Sequence, residues 1–297
     1  MSTPSLDSLR CFIAAARLLR FTRAARSVAL TPTAFSQRIK QLEDQIGVSL
    51  FSRTTRSVTL TEAGLALLPH AERCLAIADE GVRAARGETG PAPLEVILGT
   101  RHELGLSWIL PQLDALSLER PWLNLHLAFG AASDLHRRVG SLEIDCAVTS
   151  AHVSDPRLDA IPLHREDYVL VGGAAHLEST PLTKVEHAGR HTLLDISAEL
   201  PLYRYFRDAS GTRMLRFGKH TYLGTIAAIR HRVIEGAGVA VLPEYLVRDD
   251  LAARRVRRVL PKVALLHDHF RLVFRADDAR RALFESLAAS LAKTPLR

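Results

Sequence analysis

The chain has 297 residues, which is long enough for two or three folded units. Its composition, with 47% hydrophobic and 24% charged residues, is that of a folded protein and excludes a disordered chain. No segment approaches ~18 uninterrupted apolar residues, and we expect neither a membrane span nor a secretory signal. Of the net charge of +7, residues 1–60 contribute +6 through nine bases and three acids. Such a basic end suits a polyanion such as nucleic acid, although a solvated basic face is the alternative.

Three helices are predicted at the N-terminus. Residues 6–18 place apolar side chains on one face and predict a supporting helix. Thr22 is expected to cap a second helix and Thr31 a third, with Pro32 at the first helical position, where a missing N–H costs nothing. Gly47 predicts a left-handed stop to the third helix.

The third helix has two distinct faces. The apolar face consists of Phe35, Ile39, Leu42 and Ile46. The opposite, polar face consists of Thr33, Ser36, Gln37 and Lys40. The following LFSRTTRSVTL alternates like two short strands with Arg53 and Arg56 at the turn. Residues 1–60 therefore predict an all-α winged helix-turn-helix domain with a small two-stranded wing.

Residues 61–93 predict a linker helix and a hinge. The helical pattern runs from Thr61 to about Arg86, or ~37 Å at 1.5 Å per residue. Its heptad seam predicts a dimerisation surface made of Leu68, Ala71, Leu75, Ala78 and Val82. An amphipathic helix packed on its own chain is the alternative. Pro69 predicts a bend or a restart of the helix, and GETGPAP at 87–93 predicts the domain boundary.

The remaining residues predict an α/β domain. Short apolar runs alternate with helix-like segments and predict the strands LEVILGT, LNLHLAFG, DCAVTS, DYVLVGG, HTLLDIS, GVAVLP and RLVFRAD. This alternation implies a sheet with crossover connections.

The run AARSVALTPTAFSQRIKQLEDQIGVSLFSRTTRSVTLTEAG, at residues 24–64, resembles the DNA-binding domain of LysR-type transcriptional regulators. The matching positions are the Ala24-Ala25 pair, Ser36, Ile39, Leu42-Glu43, Gly47, Leu50-Phe51, Arg53, Arg56, Leu60-Thr61 and Gly64. Phe35 and Gln37 depart from the family pattern, so the base preference is left open. The later Leu110-Pro111, Pro121, Asp145, Gly236, Gly238 and Leu242-Pro243 match more loosely.

The resemblance implies that residues 94–297 form a two-lobed effector domain like a periplasmic binding protein. Lobe I would comprise 94–164 and 268–297, and lobe II 165–267. It also implies a homo-oligomer, namely a tetramer made of two dimers, and favours the dimerising role of the linker helix. The effector is a small molecule of unknown identity, and RNA polymerase is a further candidate partner.

The third helix is expected to contact DNA. The N-terminal residues of a helix in the major groove reach base edges, so Gln37 and Thr33 are predicted to contact bases beside Pro32. Ser36, Lys40, Arg53 and Arg56 are predicted to hold phosphates or the minor groove.

Open α/β sheets bind ligands beyond the carboxyl ends of their strands. The candidate effector residues at these ends are Thr100, Arg101, His102, Phe129, Gly130, Thr149, Tyr203 and Thr225. Arg101 and His102 at a helix start favour an anionic effector. The alternative is an exposed arginine beside a histidine that only caps its helix.

The sequence contains no complete catalytic or cofactor motif of the common classes. GAGVAV at 236–241 lacks the third glycine of a dinucleotide site, and GxSxG, HExxH and P-loop motifs are absent. Cys11, Cys74 and Cys146 lack CxxC spacing, which disfavours zinc and disulfides and indicates a reducing compartment. We therefore expect no enzyme, no metal and no cofactor.

The sequence thus predicts a cytoplasmic, sequence-specific regulator that binds double-stranded DNA and is modulated by an effector. The alternatives are an effector-independent DNA-binding protein and, less favoured, a small-molecule binding protein or enzyme built on the two-lobed domain. The operator, the effector, the target genes, the direction of regulation and the choice between dimer and tetramer are left open.

Overall fold

The computed structural model describes residues 3–53, 58–87, 91–209 and 215–296, with the side chains of Arg53 and Ser133 left out. The N-terminal elements are helices α1 (Leu6–Leu18), α2 (Phe21–Ser27) and α3 (Pro32–Ile46), strands β1 (Phe51–Arg53) and β2 (Val58–Leu60), and the long helix α4 (Glu62–Ala85). Strands β1 and β2 pair antiparallel as the predicted wing. Arg56 lies outside the described residues.

Two predicted caps are confirmed and one is wrong. Thr31 accepts a hydrogen bond from Ala34 N at 3.2 Å, and Gly47 ends α3 with φ +87°. Thr22 lies inside α2, which begins one residue earlier. The reason is that the Phe21 ring packs edge-on against Phe35 and Phe51, at centroid distances of 5.6 and 5.5 Å, and this contact holds Phe21 within the helical turn.

Helix α4 is capped by Thr61 and spans 24 residues without interruption. Of the bend or restart predicted at Pro69, the restart does not occur, because Pro69 lies inside the continuous helix. Leu68 and Ala71 are each only 1% exposed, because they pack in the N-terminal hydrophobic core with α1. Their predicted role in dimerisation is therefore wrong, and the alternative of packing on the same chain holds for this half of the helix. Farther along, Val82 is 50% exposed and Ile77 63% exposed.

The remaining elements belong to the C-terminal domain. Its strands are β3 (Leu94–Thr100), β4 (Leu123–Phe129), β5 (Cys146–Thr149), β6 (Leu158–Glu166), β7 (Tyr168–Gly173), β8 (Thr192–Asp195), β9 (Lys219–Tyr222), β10 (Val239–Pro243), β11 (Val256–Arg258) and β12 (Asp268–Arg275). Its helices are α5 (His102–Leu104), α6 (Leu113–Glu119), α7 (Ala132–Gly140), α8 (Ala174–Ser179), α9 (Arg204–Arg207), α10 (Ile226–Ile234), α11 (Glu244–Ala252) and α12 (Arg281–Lys293). A π-helical turn at Gly105–Ile109 and a 3-10 turn at Leu110–Gln112 join α5 to α6.

These strands form two five-stranded sheets, one in each lobe. The lobe I sheet has the order β4-β3-β5-β12-β6, and the lobe II sheet has the order β11-β7-β10-β8-β9. In lobe I, β3 is parallel to both β4 and β5, whereas β12 is antiparallel to its two neighbours. The chain crosses between the lobes after Glu166 and again before Asp268.

All seven predicted strands of this domain are present, but β6, β9 and β11 were not predicted. All three lie at sheet edges. Strand β6 contains Pro162, which an edge position tolerates because one side of the strand is unpaired. Within the described residues, no helix has the length and apolarity needed to cross a bilayer.

Candidate nucleic-acid interface and ligand crevice

Helix α3 exposes one face and buries the other. Phe35 and Ile39 are fully buried in the N-terminal core, which fixes the rotation of the helix about its axis. Pro32, Thr33, Gln37 and Lys40 are exposed on the other side, and Ser36 is half-buried. The structure therefore places these five predicted DNA-contacting residues on one accessible face.

Most of this face lines an open groove of about 890 Å³. The groove is lined by Thr33, Ser36, Gln37 and Lys40, and beyond them by Glu43, Asp44, Gly47, Val48 and Ser49. The arrangement offers a hydroxyl pair, an amide and an ammonium group in a row, which are groups that bind base edges and phosphates. Arg56 lies outside the described residues, as does the side chain of Arg53.

Glu43, to which no role was assigned from the sequence, ties the wing to α3. Its Oε1 accepts hydrogen bonds from Leu50 N at 2.8 Å and Phe51 N at 3.1 Å. Thr61 donates to Ser49 O at 2.7 Å and so fixes the same turn from α4. The sequence feature that could have predicted this contact is an acidic residue in the last turn of α3, just before Gly47. A carboxylate at that position can reach the backbone amides that follow the helix.

The predicted ligand residues of lobe I meet at one sheet edge. Thr100 of β3 is paired with Phe129 of β4. On its other side, β3 pairs with β5, so that Leu98 is aligned with Cys146 and Thr100 with Val148. Thr100 and Thr149 are fully buried, whereas Phe129 is 39% exposed. The Phe129 ring lies 5.0 Å from the His102 ring, edge to face.

A backbone hydrogen bond and one glycine allow this close packing. Gly130 N donates to Thr100 O at 3.1 Å and so joins the two strand ends. A Cβ at Gly105 would lie 2.4 Å from the Phe129 ring and 2.6 Å from Thr100 Cγ2. Phe129 therefore covers Gly105, and the accessible surface at this edge belongs mainly to His102, Phe129 and Gly130.

Arg101 is not free to bind an anion. Its Nη2 donates to Glu166 Oε1 at 2.6 Å, and its guanidinium lies 5.0 Å from the centre of the Phe270 ring. Burial is the largest single influence and disfavours the charged guanidinium, but the attraction and hydrogen bond of Glu166, together with the nearby Tyr245 and Tyr168, raise the pKa of Arg101. Glu166 is fully buried, and its Oε2 has no hydrogen-bond partner among the described residues. The expected anion preference therefore loses its support from Arg101.

Of the two predicted residues of lobe II, only Thr225 is accessible. Thr225 caps α10 by accepting a hydrogen bond from Ala228 N at 3.2 Å. We call the space between the lobes at these strand ends the crevice. Across it, Glu103 Oε1 of lobe I accepts a hydrogen bond from Ala227 N of lobe II at 3.3 Å. Glu103 was missed in the sequence, although it directly follows Arg101 and His102. The first turn of α10 thus faces the predicted segment of lobe I.

Tyr203 is wrongly predicted as a ligand residue. It is 3% exposed, and its hydroxyl donates to Leu215 O at 3.3 Å within the lobe II core. Its backbone is held by Asp195, whose Oδ2 accepts from Tyr203 N at 2.9 Å. Burial raises the pKa of Asp195, and the backbone hydrogen bonds oppose that shift. Strand-end position alone could not show that the ring points into the core.

Comparison with known proteins agrees with both halves of this geometry. The bacterial regulatory helix-turn-helix protein, lysR family, model matches residues 6–65, and the LysR substrate binding domain model matches residues 90–295. The regulator TrpI of Pseudomonas aeruginosa is 32% identical over 265 residues, covering 85% of each chain.

Solved structures share the fold over the whole chain. Full-length OxyR from Pseudomonas aeruginosa has a TM-score of 0.72 at 21% identity, covering 100% of this chain and 97% of that one. LysG from Corynebacterium glutamicum, solved with bound effector Arg, has a TM-score of 0.68 at 18% identity, covering 97% of each chain. By its two domains and its relatives, the chain belongs to the LysR family of DNA-binding transcriptional regulators.

Proposed function

We propose that α3 enters the major groove of double-stranded DNA and that Gln37 and Thr33 contact base edges there. The observation that supports this most directly is the row of exposed polar side chains along the groove, backed by the fully buried Phe35 and Ile39. Ser36, Lys40 and the wing arginines Arg53 and Arg56 would hold phosphates or the minor groove, with Pro32 at the start of the helix.

The second half of α4 would form the homodimer. Leu75 and Ala78 are half-buried and Val82 is 50% exposed, so an apolar surface remains on this face of the helix after the first half has packed on its own chain. We propose a dimer through this surface and a tetramer of two dimers. The protein would act in the cytoplasm, without catalysis, and RNA polymerase would be its partner at promoters.

The crevice would hold a small effector against His102, Phe129, Gly130 and Thr225, with Thr100 and Thr149 shaping its floor from below. LysG has been solved with bound effector Arg, so amino acids are the first compounds to test. Because Arg101 is already paired, an anion would have to rely on His102 and on backbone amides. Any effector must bind two arrangements of the oligomer unequally, since equal affinity would shift neither.

The DNA assignment is tested by footprinting the full-length protein on DNA upstream of its own gene and of neighbouring genes. Gln37→Ala should lose discrimination between the protected site and random DNA. Gln41→Ala is the matched control, because Gln41 is exposed on the same helix but does not line the groove. A protein without any protected sequence would refute the proposal.

Repeating the footprint with each amino acid tests the effector. We expect one compound to change the protected length or the affinity, and Phe129→Ala to weaken that response more than Leu118→Ala, which alters an exposed leucine elsewhere on lobe I. A footprint that stays the same with amino acids and with a wider set of metabolites would favour an effector-independent regulator.

A further inference from the structure

One edge of lobe I contacts the N-terminal half of the same chain. Leu142, in the turn after α7, is half-buried and packs against the hydrophobic core of the DNA-binding domain. Beside it, a cavity of about 280 Å³ separates Pro69 and Arg73 of α4 from Asp277 and Ala279 of lobe I. We call residues 140–143 and 277–279 of lobe I the docking edge.

The two segments of the docking edge are fastened together. Arg275, which is 5% exposed, donates from Nη1 to Gly140 O at 3.1 Å and from Nη2 to Asp277 Oδ2 at 2.6 Å. Gly140 is the last residue of α7 and Asp277 lies just beyond β12. A movement of α7 along its axis would therefore carry both segments of the edge, and not only the turn that holds Leu142.

The same helix begins at the crevice. Its first residue, Ala132, follows Gly130 by two positions, and Arg138 Nη1 donates back to Phe129 O at 3.4 Å. Arg138 Nε also forms an ion pair with Glu143 Oε1 at 2.8 Å, next to Leu142. The Arg138 side chain, which is 16% exposed, thus contacts Phe129 at the crevice and Glu143 of the docking edge.

We propose that the docking edge couples occupancy of the crevice to the position of the DNA-binding domain, with Arg138 as the positioning residue. A ligand that moves Phe129 would move the α7 helix through Arg138 and alter the contact of Leu142 with the N-terminal core. The inference rests on the proposed function of both sites. Coupling between two binding sites is reciprocal, so DNA binding must in turn perturb the crevice, and this effect can be measured before the effector is identified.

The docking contact is tested first, by hydrogen exchange of the full-length protein without ligands. Leu142 has φ +61°, a conformation that asparagine accepts, so Leu142→Asn removes the apolar contact without adding backbone strain. We expect several-fold faster exchange in peptides covering residues 62–75. The control Leu118→Asn changes a leucine that is 82% exposed on α6 and should leave these peptides unchanged. Equal exchange in the two variants would overturn the docking contact.

The coupling is tested with a duplex of about 30 base pairs at ~50 mM salt, where electrostatic binding to any DNA sequence is strong. In the wild type, DNA should change hydrogen exchange at residues 127–131, and Arg138→Gln should abolish this change while DNA is still bound. The control Arg137→Gln removes a neighbouring arginine that pairs with Asp134 and, at 4.0 Å, with Glu143, and it should keep the change.

The outcomes separate the two proposals. DNA binding with no change at residues 127–131, or with the same change in Arg138→Gln as in the wild type, overturns the coupling and leaves the DNA-binding function standing. If the wild type does not bind the duplex at all, the proposed function fails, and the coupling fails with it.

Discussion

The buried ion pair between Arg101 and Glu166 gives the sharpest test of the crevice region. Replacing Arg101 by methionine keeps much of the side-chain volume but removes the donor that lies 2.6 Å from the carboxylate. Glu166 is fully buried, so the carboxylate would be left without its partner and without water. Removing one member of a buried pair typically costs ~3–5 kcal/mol because an uncompensated charge remains.

For a domain of roughly 200 residues, each kcal/mol shifts the melting temperature by roughly 2–4 °C, so Arg101→Met should lower it by about 6–20 °C. The assay is thermal unfolding of the full-length protein followed by near-UV circular dichroism. The control Arg165→Met removes an arginine whose side chain is 56% exposed and pairs with Asp167, and it should cost at most ~1 kcal/mol.

A double variant, Arg101→Met with Glu166→Leu, separates charge from packing. Buried pairs can be exchanged for apolar residues at little cost, so this variant should regain most of the lost stability. If Arg101→Met melts within about 2 °C of the Arg165→Met control, less than ~1 kcal/mol separates the two variants. The buried pair would then contribute no more to stability than the exposed one, and the predicted cost of breaking it would be refuted.

Three further predictions concern DNA binding and assembly. If a dimer neutralises ~6–10 phosphates, affinity should fall by ~10³–10⁵ between 50 and 200 mM salt in a fluorescence-anisotropy titration, and a flat response would contradict phosphate contact. Glu43→Ala should cost ~1–3 kcal/mol of stability, because two amides of the wing lose their acceptor, and should weaken binding to all DNA sequences alike; site-selective loss would contradict this. Val82→Asp should dissociate dimers in sedimentation velocity more than Val48→Asp, which alters another exposed valine.

The sequence predicted best those elements whose signal is local. The N-cap at Thr31, the left-handed Gly47 and the wing strands all follow from the chemistry of a few neighbouring residues, and all are present. The apolar runs likewise identify the central strands of both sheets. Short, polar edge strands such as β9 and β11 carry no such run, because only one of their sides is paired.

Other errors arose because one local pattern serves two purposes. The spacing of Leu68 and Ala71 suits a partner helix, but the same spacing also packs α4 on α1, and only the tertiary contacts distinguish them. Arg101 and Tyr203 were predicted from their places after strands. Arg101 is paired with Glu166, which lies 65 residues away in the sequence. Tyr203 is enclosed by residues that include Leu215. The residues next to Arg101 and Tyr203 in the sequence do not reveal either contact.

The position of β12 has a consequence for synthesis of the protein. This strand comes from the last thirty residues of the chain, yet it lies between β5 and β6 in the lobe I sheet. A nascent chain that ends before Asp268 can complete the DNA-binding domain but leaves β5 and β6 without the strand that pairs with both, so their edges are open to other chains. Premature termination should therefore yield aggregation-prone fragments that proteases remove, rather than unregulated DNA-binding domains that compete for the same promoters.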